Sequence, residues 1–235
     1  MKHKIFFCIL FVLCGQLAFS QQRAVQNQLL SDTRLIHFGF SLGMNFMDFG
    51  ITHSNSVDEA GNSYYMAVPN YKAGFSVGII SDLKLLEFLN VRFVPMLNFG
   101  DRSVVFVDQH QNPAPKSQVI KSTLLNFPVY VKYRANRRGN YRPYLIAGSG
   151  IMIDLSREKE NLLLLKGADV SVEFGIGCDF YMPYFKLAPE LKFCIGLLDV
   201  LERERPDLLI TSDMKYTNAL SKLTTRMFVL TFNFE

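Results

Sequence analysis

The chain has 235 residues, with 25 lysines and arginines against 21 aspartates and glutamates, so its formal net charge is +4. Lys2 and Lys4 lie in a predicted signal peptide, which leaves 25 − 2 = 23 basic residues against 21 acidic ones. This near balance argues against a nucleic-acid-binding protein. After the signal, no run approaches the roughly 18 uninterrupted apolar residues of a transmembrane helix. We therefore expect any crossing of a membrane to use strands.

The first 20 residues have the pattern of an export signal. Lys2 and Lys4 precede an apolar run over 5–13, and Ala18-Phe19-Ser20 has the small-x-small form of a signal-peptidase site. We expect residues 1–20 to be removed and residues 21–33 to form a short periplasmic leader. Residues 34–235 then form the folded domain.

The first segment of this domain, about 34–51, alternates between two kinds of side chain. Large apolar residues, Phe38, Phe40, Leu42, Met44 and Phe46, alternate with His37, Gly39, Ser41, Gly43 and Asn45. Successive side chains of a strand point to opposite faces, so one face is apolar and the other is small and polar. Recurring small, polar faces are typical of a barrel whose outside meets lipid.

The same alternation predicts seven further strands. They cover about 70–80, 88–99, 122–133, 141–154, 169–180, 185–197 and a last segment that ends Phe228-Val-Leu-Thr-Phe-Asn-Phe-Glu235. The alternation is clearest in segment 169–180, whereas segment 141–154 does not show which of its side chains face inward. The sequence therefore predicts an all-β protein, an eight-stranded antiparallel up-and-down transmembrane β-barrel of the outer-membrane type.

The connections between these strands alternate in length. Segments 52–69, 101–118, 155–168 and 198–221 are long, and segments 81–87, 134–140 and 181–184 are short. Outer-membrane barrels have short periplasmic turns and long external loops, so we expect both termini to be periplasmic. Prolines inside predicted strands, Pro95, Pro128, Pro143 and Pro189, each forfeit a ladder hydrogen bond, and we interpret them as bulges or strand ends.

Charged residues on the inward faces form a candidate lumenal network. Its members are Arg92, Lys132, Glu173, Asp179, Glu190 and Lys192. Eight strands leave a lumen that side chains can fill, and buried charges must be paired, so we expect a plug of ion pairs. A gated path for protons or ions through the same residues is the alternative.

The sequence offers little support for catalysis or for a cofactor. A lipid-modifying enzyme would need a nucleophile beside a positioned base, and the loop histidines His53 and His110 have only nearby polar residues. Cys178 and Cys194 fall on opposite faces of their strands, so we expect neither a disulfide nor a metal site. We therefore predict that the chain is not an enzyme, with lipid modification as the third candidate function.

Apolar runs in two predicted external loops form a candidate docking surface. They consist of Leu162, Leu163, Leu164 and Leu165 in one loop and Leu208, Leu209 and Ile210 in the other. Exposed apolar patches mark interaction sites. Packing of each loop on itself, or extension of a strand, is the alternative.

With the strands laid out, the chain resembles the PorT/SprT family of outer-membrane barrels found in Bacteroidetes. The resemblance is carried by four segments, Ile36-His-Phe-Gly-Phe-Ser-Leu-Gly-Met-Asn45, Leu89-Asn-Val-Arg-Phe-Val-Pro-Met-Leu-Asn-Phe99, Leu125-Asn-Phe-Pro-Val-Tyr-Val-Lys-Tyr-Arg134 with Arg142-Pro-Tyr144, and the Phe-Asn-Phe-Glu235 terminus. It implies an accessory role in type IX secretion and, in gliding bacteria, in surface motility. The implied partners are outer-membrane lipid and other secretion components. A stand-alone porin-like or adhesion barrel is the alternative function.

Overall fold

The computed structural model of the protein describes residues 25–54, 63–67, 71–108, 113–157, 163–203, 217 and 219–235. A short 3-10 helix, Ser31–Thr33, precedes the strands. The strands are β1 (Ile36–His53), β2 (Tyr64–Ala67), β3 (Ala73–Lys84), β4 (Leu89–Phe93), β5 (Met96–Asp108), β6 (Pro113–Arg134), β7 (Tyr141–Asp154), β8 (Ala168–Tyr181), β9 (Lys186–Gly196) and β10 (Leu220–Phe234). Within these described ranges, no helix is long and apolar enough to cross a membrane.

These strands form an antiparallel ring. β1 pairs with β10 on one side and with β3 on the other, and this double pairing closes the sheet. β2 and β3 pair one after the other with β5, so together they take the place of one strand in the ring. In the same way, β4 and β5 pair one after the other with β6 and take the place of one strand. The prediction of an eight-stranded up-and-down barrel is therefore confirmed.

Side chains alternate between the outside and the inside of the ring as the sequence predicts. On β8, Phe174 is 47% exposed on the outer face and Ser171 is fully buried on the inner face. On β7, whose sequence did not show which side chains face inward, Tyr144 and Met152 point inward and Leu145 points outward. We call the end with both termini and the short turns the turn end, and the opposite end the loop end.

The predicted long connection over 101–118 is wrong, because it is mostly strand. β5 continues to Asp108 and β6 begins at Pro113. The alternation also continues, since Val104 and Phe106 are buried inside the barrel. This inward apolar face stabilises the extended hairpin beyond the point where the sequence predicted a loop.

The prolines disturb the sheet less than predicted. Pro95 separates β4 from β5, but the interpretation of Pro128 as a bulge or strand end is wrong, because it lies inside β6 and pairs with Gly150 without a register shift. A Cβ atom at Gly150 would lie 2.7 Å from the Cα of Pro128, so glycine makes this close approach possible. Pro143 lies near the start of β7, as expected, whereas Pro189 lies inside β9 and pairs with Phe232 without a register shift, so the interpretation is wrong there too.

The loop end of the lumen is filled by apolar side chains. Buried residues from five strands and two connections pack there, namely Phe49, Met66, Val104, Phe106, Ile120, Leu163, Leu165, Val200, Leu201, Leu220 and Leu223. Asp199 helps to hold the second connection, because its carboxylate accepts hydrogen bonds from the backbone of Leu201 and Leu223 at 3.2 and 3.0 Å. The core of the barrel therefore extends to the loop end.

A charged residue placed on the outer face tests whether that face contacts lipid. We expect Phe174→Arg to impair folding into membranes strongly, because an arginine on a lipid-facing position near mid-strand costs about 2–4 kcal/mol. Phe174→Leu is the matched control and should fold, since it stays apolar. The measurement is the fraction of protein that acquires heat-modifiable gel mobility after refolding into lipid vesicles. Equal folding of both variants would contradict the assignment of this face.

Candidate functional site

Arg92 is the centre of the charged part of the lumen. Its side chain is fully buried on β4, inside the barrel. The guanidinium Nε lies 2.8 Å from Asp82, Nη1 lies 3.2 Å from Glu190, and Nη2 lies 2.6 Å from Glu235. One side chain thus connects β3, β9 and the residue that follows β10. Arginine suits this position because its planar fork can serve several carboxylates at once.

Three lysines complete the lumenal ion pairs. Lys132 lies 2.9 Å from Asp179, Lys192 lies 3.3 Å from Glu190, and Lys186 contacts Glu235. Together with Arg92, these three lysines pair with four carboxylates, those of Asp82, Asp179, Glu190 and Glu235. Such balance is what allows charges to remain buried. We call these eight residues the ion-pair network.

Glu173, the remaining predicted member, is bound differently. Its carboxylate accepts hydrogen bonds from Asn126 at 2.7 Å, from Ser171 at 3.2 Å and from the Tyr130 hydroxyl. Lys192 reaches the same tyrosine, with 3.4 Å between its Nζ and the hydroxyl oxygen. Glu173 is therefore bound by neutral donors, and one of them, Tyr130, also contacts Lys192 of the ion-pair network.

Three members of the network were not in the predicted set. Asp82 was assigned to a short turn over 81–87, but β3 continues to Lys84 and carries it into the lumen. Glu235 was noted only as the last residue of a segment that carries the family resemblance, although it binds Arg92 and Lys186. Lys186 shares the inward parity of Glu190 and Lys192 on β9, so the alternation could have identified it.

Aromatic rings fill the space between the charged groups. The Lys132 ammonium lies 3.9 Å from the centre of the Tyr144 ring, and the Tyr144 hydroxyl donates to Glu190 at 2.7 Å. Beyond them toward the loop end, Met47 and Met152 belong to a buried apolar layer. Along the described residues the lumen is thus closed by successive layers of side chains, as the width of an eight-stranded barrel predicts.

The leucines of the predicted docking surface do not form one in the described part of the chain. Leu163 is 1% exposed, and Leu164 and Leu165 are also buried, with Leu163 and Leu165 in the apolar core at the loop end. Leu165 forms an isolated bridge with Leu201 across the two connections. The described leucines therefore pack into the core of the barrel, which is neither the exposed surface that was predicted nor packing of the loop on itself alone. Leu162, Leu208, Leu209 and Ile210 lie outside the described residues.

A second charged group, the arginine cluster of Arg134, Arg137 and Arg142, lies at the turn end. Asp32 of the leader enters it, with 3.5, 3.4 and 3.1 Å between its carboxylate and the three guanidinium groups in that order. Tyr181 donates a hydrogen bond to the same carboxylate at 2.8 Å. Burial opposes the charged form, but the Tyr181 hydrogen bond and the arginine charges outweigh it and lower the pKa of Asp32.

The histidines and cysteines of the described chain take structural positions. His37 Nε2 lies 2.7 Å from the carbonyl oxygen of Ser31, and His53 packs edge-on against Tyr65. Cys194 is buried in the lumen, Cys178 lies on the outer face, and both thiols are free. His110 lies outside the described residues.

The ion-pair network predicts an unequal response to two substitutions. Arg92→Gln should destabilise the barrel by about 3–5 kcal/mol, because it leaves three buried carboxylates without their shared cation. Glu173→Gln should cost clearly less, since an amide oxygen can still accept from Asn126 and Ser171. The measurement is the free energy of unfolding in urea, followed by heat-modifiable gel mobility. A larger loss for Glu173→Gln than for Arg92→Gln would contradict the assigned pairing.

Comparison with known proteins assigns the chain to a family. Solved structures similar to the chain include Neisserial surface protein A (10% identity, TM-score 0.43, covering 84% of this chain and 97% of that one), the attachment invasion locus protein Ail of Yersinia pestis (11%, 0.35, 84% and 96%) and the outer membrane protein AlkL (13%, 0.44, 90% and 90%). No curated protein sequence matches the chain. Residues 19–202 match the model of the outer membrane protein beta-barrel domain, and the chain therefore belongs to that family.

Proposed function

We propose that this outer-membrane barrel is a non-enzymatic accessory or assembly component of a protein secretion machine. The observation that carries the proposal is the filled lumen, in which the ion-pair network around Arg92 and the apolar core at the loop end occupy successive levels of the barrel. A barrel filled in this way does not favour the porin-like alternative. Its outer wall and its two ends are then the surfaces through which it acts.

The secretion system in the proposal is type IX, and it rests on the resemblance to the PorT/SprT family. The segments that carry this resemblance lie on β1, on β4 and β5, on β6 with the start of β7, and at the end of β10. They include Arg92 and Glu235, which form an ion pair across the lumen. The resemblance therefore covers residues that organise the interior as well as residues of the outer wall. It supports an accessory role in secretion and, where the bacterium glides, in motility.

The proposal places the turn end in the periplasm. A signal peptide over 1–20 would export the chain, and the leader and the short turns would remain on the periplasmic side. The described histidines make structural contacts with Ser31 and Tyr65, which supports a non-enzymatic role. The partners would be outer-membrane lipid and other membrane components of the secretion machine.

Deletion of the gene tests the role in secretion. We expect a general loss of secreted proteins from the medium with their accumulation in the periplasm, because a machine component serves many substrates. Restoration by the wild-type gene is the control, and quantitative proteomics of medium and periplasm is the measurement. Normal secretion combined with a defect in uptake of one solute class would contradict the proposal and favour the porin-like alternative. Normal secretion with a loss of attachment to surfaces would favour the adhesion alternative.

Cysteine labelling tests the orientation. Arg203→Cys at the loop end should react with a membrane-impermeant maleimide on intact cells, because half of the Arg203 side chain is exposed there. Arg138→Cys, in an exposed turn at the other end, should react only after the outer membrane is permeabilised. The native Cys194 is buried and Cys178 lies on the outer wall, so the unmodified protein gives the background. Labelling of Arg138→Cys alone on intact cells would reverse the orientation.

A further inference from the structure

The arginine cluster at the turn end is positioned by the barrel itself. Arg142 donates from Nε to the carbonyl of Ala135 at 2.7 Å and from Nη2 to the carbonyl of Glu87 at 3.0 Å. Arg134 donates to the same Glu87 carbonyl at 3.4 Å. These two guanidinium groups would therefore keep their places if Asp32 left, so the site for a carboxylate is preorganised.

The surroundings of Asp32 carry more positive charge than it neutralises. Four cations, Arg134, Arg137, Arg142 and Lys84, face two acidic residues, Asp32 and Glu87, which leaves an excess of 4 − 2 = 2. Arg134 Nε is buried without a hydrogen-bond partner. A cleft of about 880 Å³, lined by Lys84, Arg137 and Arg142, opens beside the carboxylate. The cluster thus has room and charge for a further anionic group.

The leader holds this position through polar contacts. Its 3-10 helix buries no residue, and the side chains of Leu29 and Leu30 are exposed. Its other contacts are hydrogen bonds such as Asn27 Nδ2 to the carbonyl of Tyr181 at 3.0 Å. A typical hydrogen bond contributes only about 1 kcal/mol net in water, so a segment with similar groups can compete for the same partners.

We propose that the arginine cluster is a carboxylate-binding site, which the leader occupies in this structure and which an acidic segment of another protein occupies when the leader is displaced. The guanidinium forks match the geometry of a carboxylate. The cluster and the neighbouring Lys84 also bind peptide backbone, since Lys84 donates to the carbonyl of Asp32 at 2.6 Å and Arg137 donates to the carbonyl of Asn27. This combination favours a polypeptide over a lipid headgroup. The inference does not depend on the role in secretion.

Removal of the leader carboxylate should open the site. We measure binding of a fluorescent oligo-aspartate peptide to the full-length refolded barrel in zwitterionic detergent, by fluorescence anisotropy. Asp32→Asn should bind the peptide about tenfold more tightly than the wild type, because the internal competitor loses its charge-assisted contacts. Arg137→Gln added to Asp32→Asn should abolish this gain. Heat-modifiable gel mobility confirms that each variant is folded.

Asp101→Asn is the matched control for net charge. Asp101 forms an exposed ion pair with Lys72 near the loop end, so its loss changes the total charge equally but leaves the cluster intact. An equal gain in this control, or no gain in Asp32→Asn, would overturn the proposal. A gain for soluble short-chain phosphatidylglycerol without a gain for oligo-aspartate would also overturn it and assign the site to lipid.

A second measurement compares two peptides on one and the same barrel, so differences in folding between variants cannot produce its result. A synthetic peptide of residues 25–34 should displace oligo-aspartate from the Asp32→Asn barrel, whereas the same peptide with asparagine in place of Asp32 should displace it at least several-fold less well. Equal competition by the two peptides would show that the carboxylate is not what the cluster recognises.

Discussion

A charge inside a narrow membrane barrel must find its partner among the side chains that line the same lumen, because neither lipid nor bulk water can solvate it there. Arg92 meets this constraint by bonding Asp82, Glu190 and Glu235, which come from three separate parts of the ring. Each of those bonds exists only when the strands are in register. The ion pairs and the strand pairing therefore support each other, and the closed lumen follows from both.

The interior changes character along the axis of the barrel, and so does the way in which each end is closed. At the loop end, Leu163 and Leu165 pack into an apolar core. At the turn end, the leader closes the arginine cluster with Asp32 and a set of hydrogen bonds. Apolar burial is lost when a segment leaves, whereas polar contacts can be exchanged for those of another segment. This difference is the basis of the exchange proposed for the turn end.

The sequence by itself determined the fold class and the facing of most strand residues. A strand alternates with a period of two whatever its neighbours are, so the contrast between Phe174 and Ser171 is visible in the residues alone. The same local rule put Arg92 and Lys132 on the inward face. It failed for 101–118, because the hairpin continues there with inward residues as different as Arg102 and Phe106, and composition does not show where such a hairpin stops.

Only the tertiary structure decided which inward groups meet. Arg92 binds Glu235 because the stagger of the strands brings the end of β10 to the level of β4, and stagger is a property of the whole ring. Asp32 reaches Arg142 because the leader folds back across the turns, which no local pattern encodes. The apolar run at Leu163 is visible in the sequence, but only the closed barrel shows that it points into the lumen and not toward solvent.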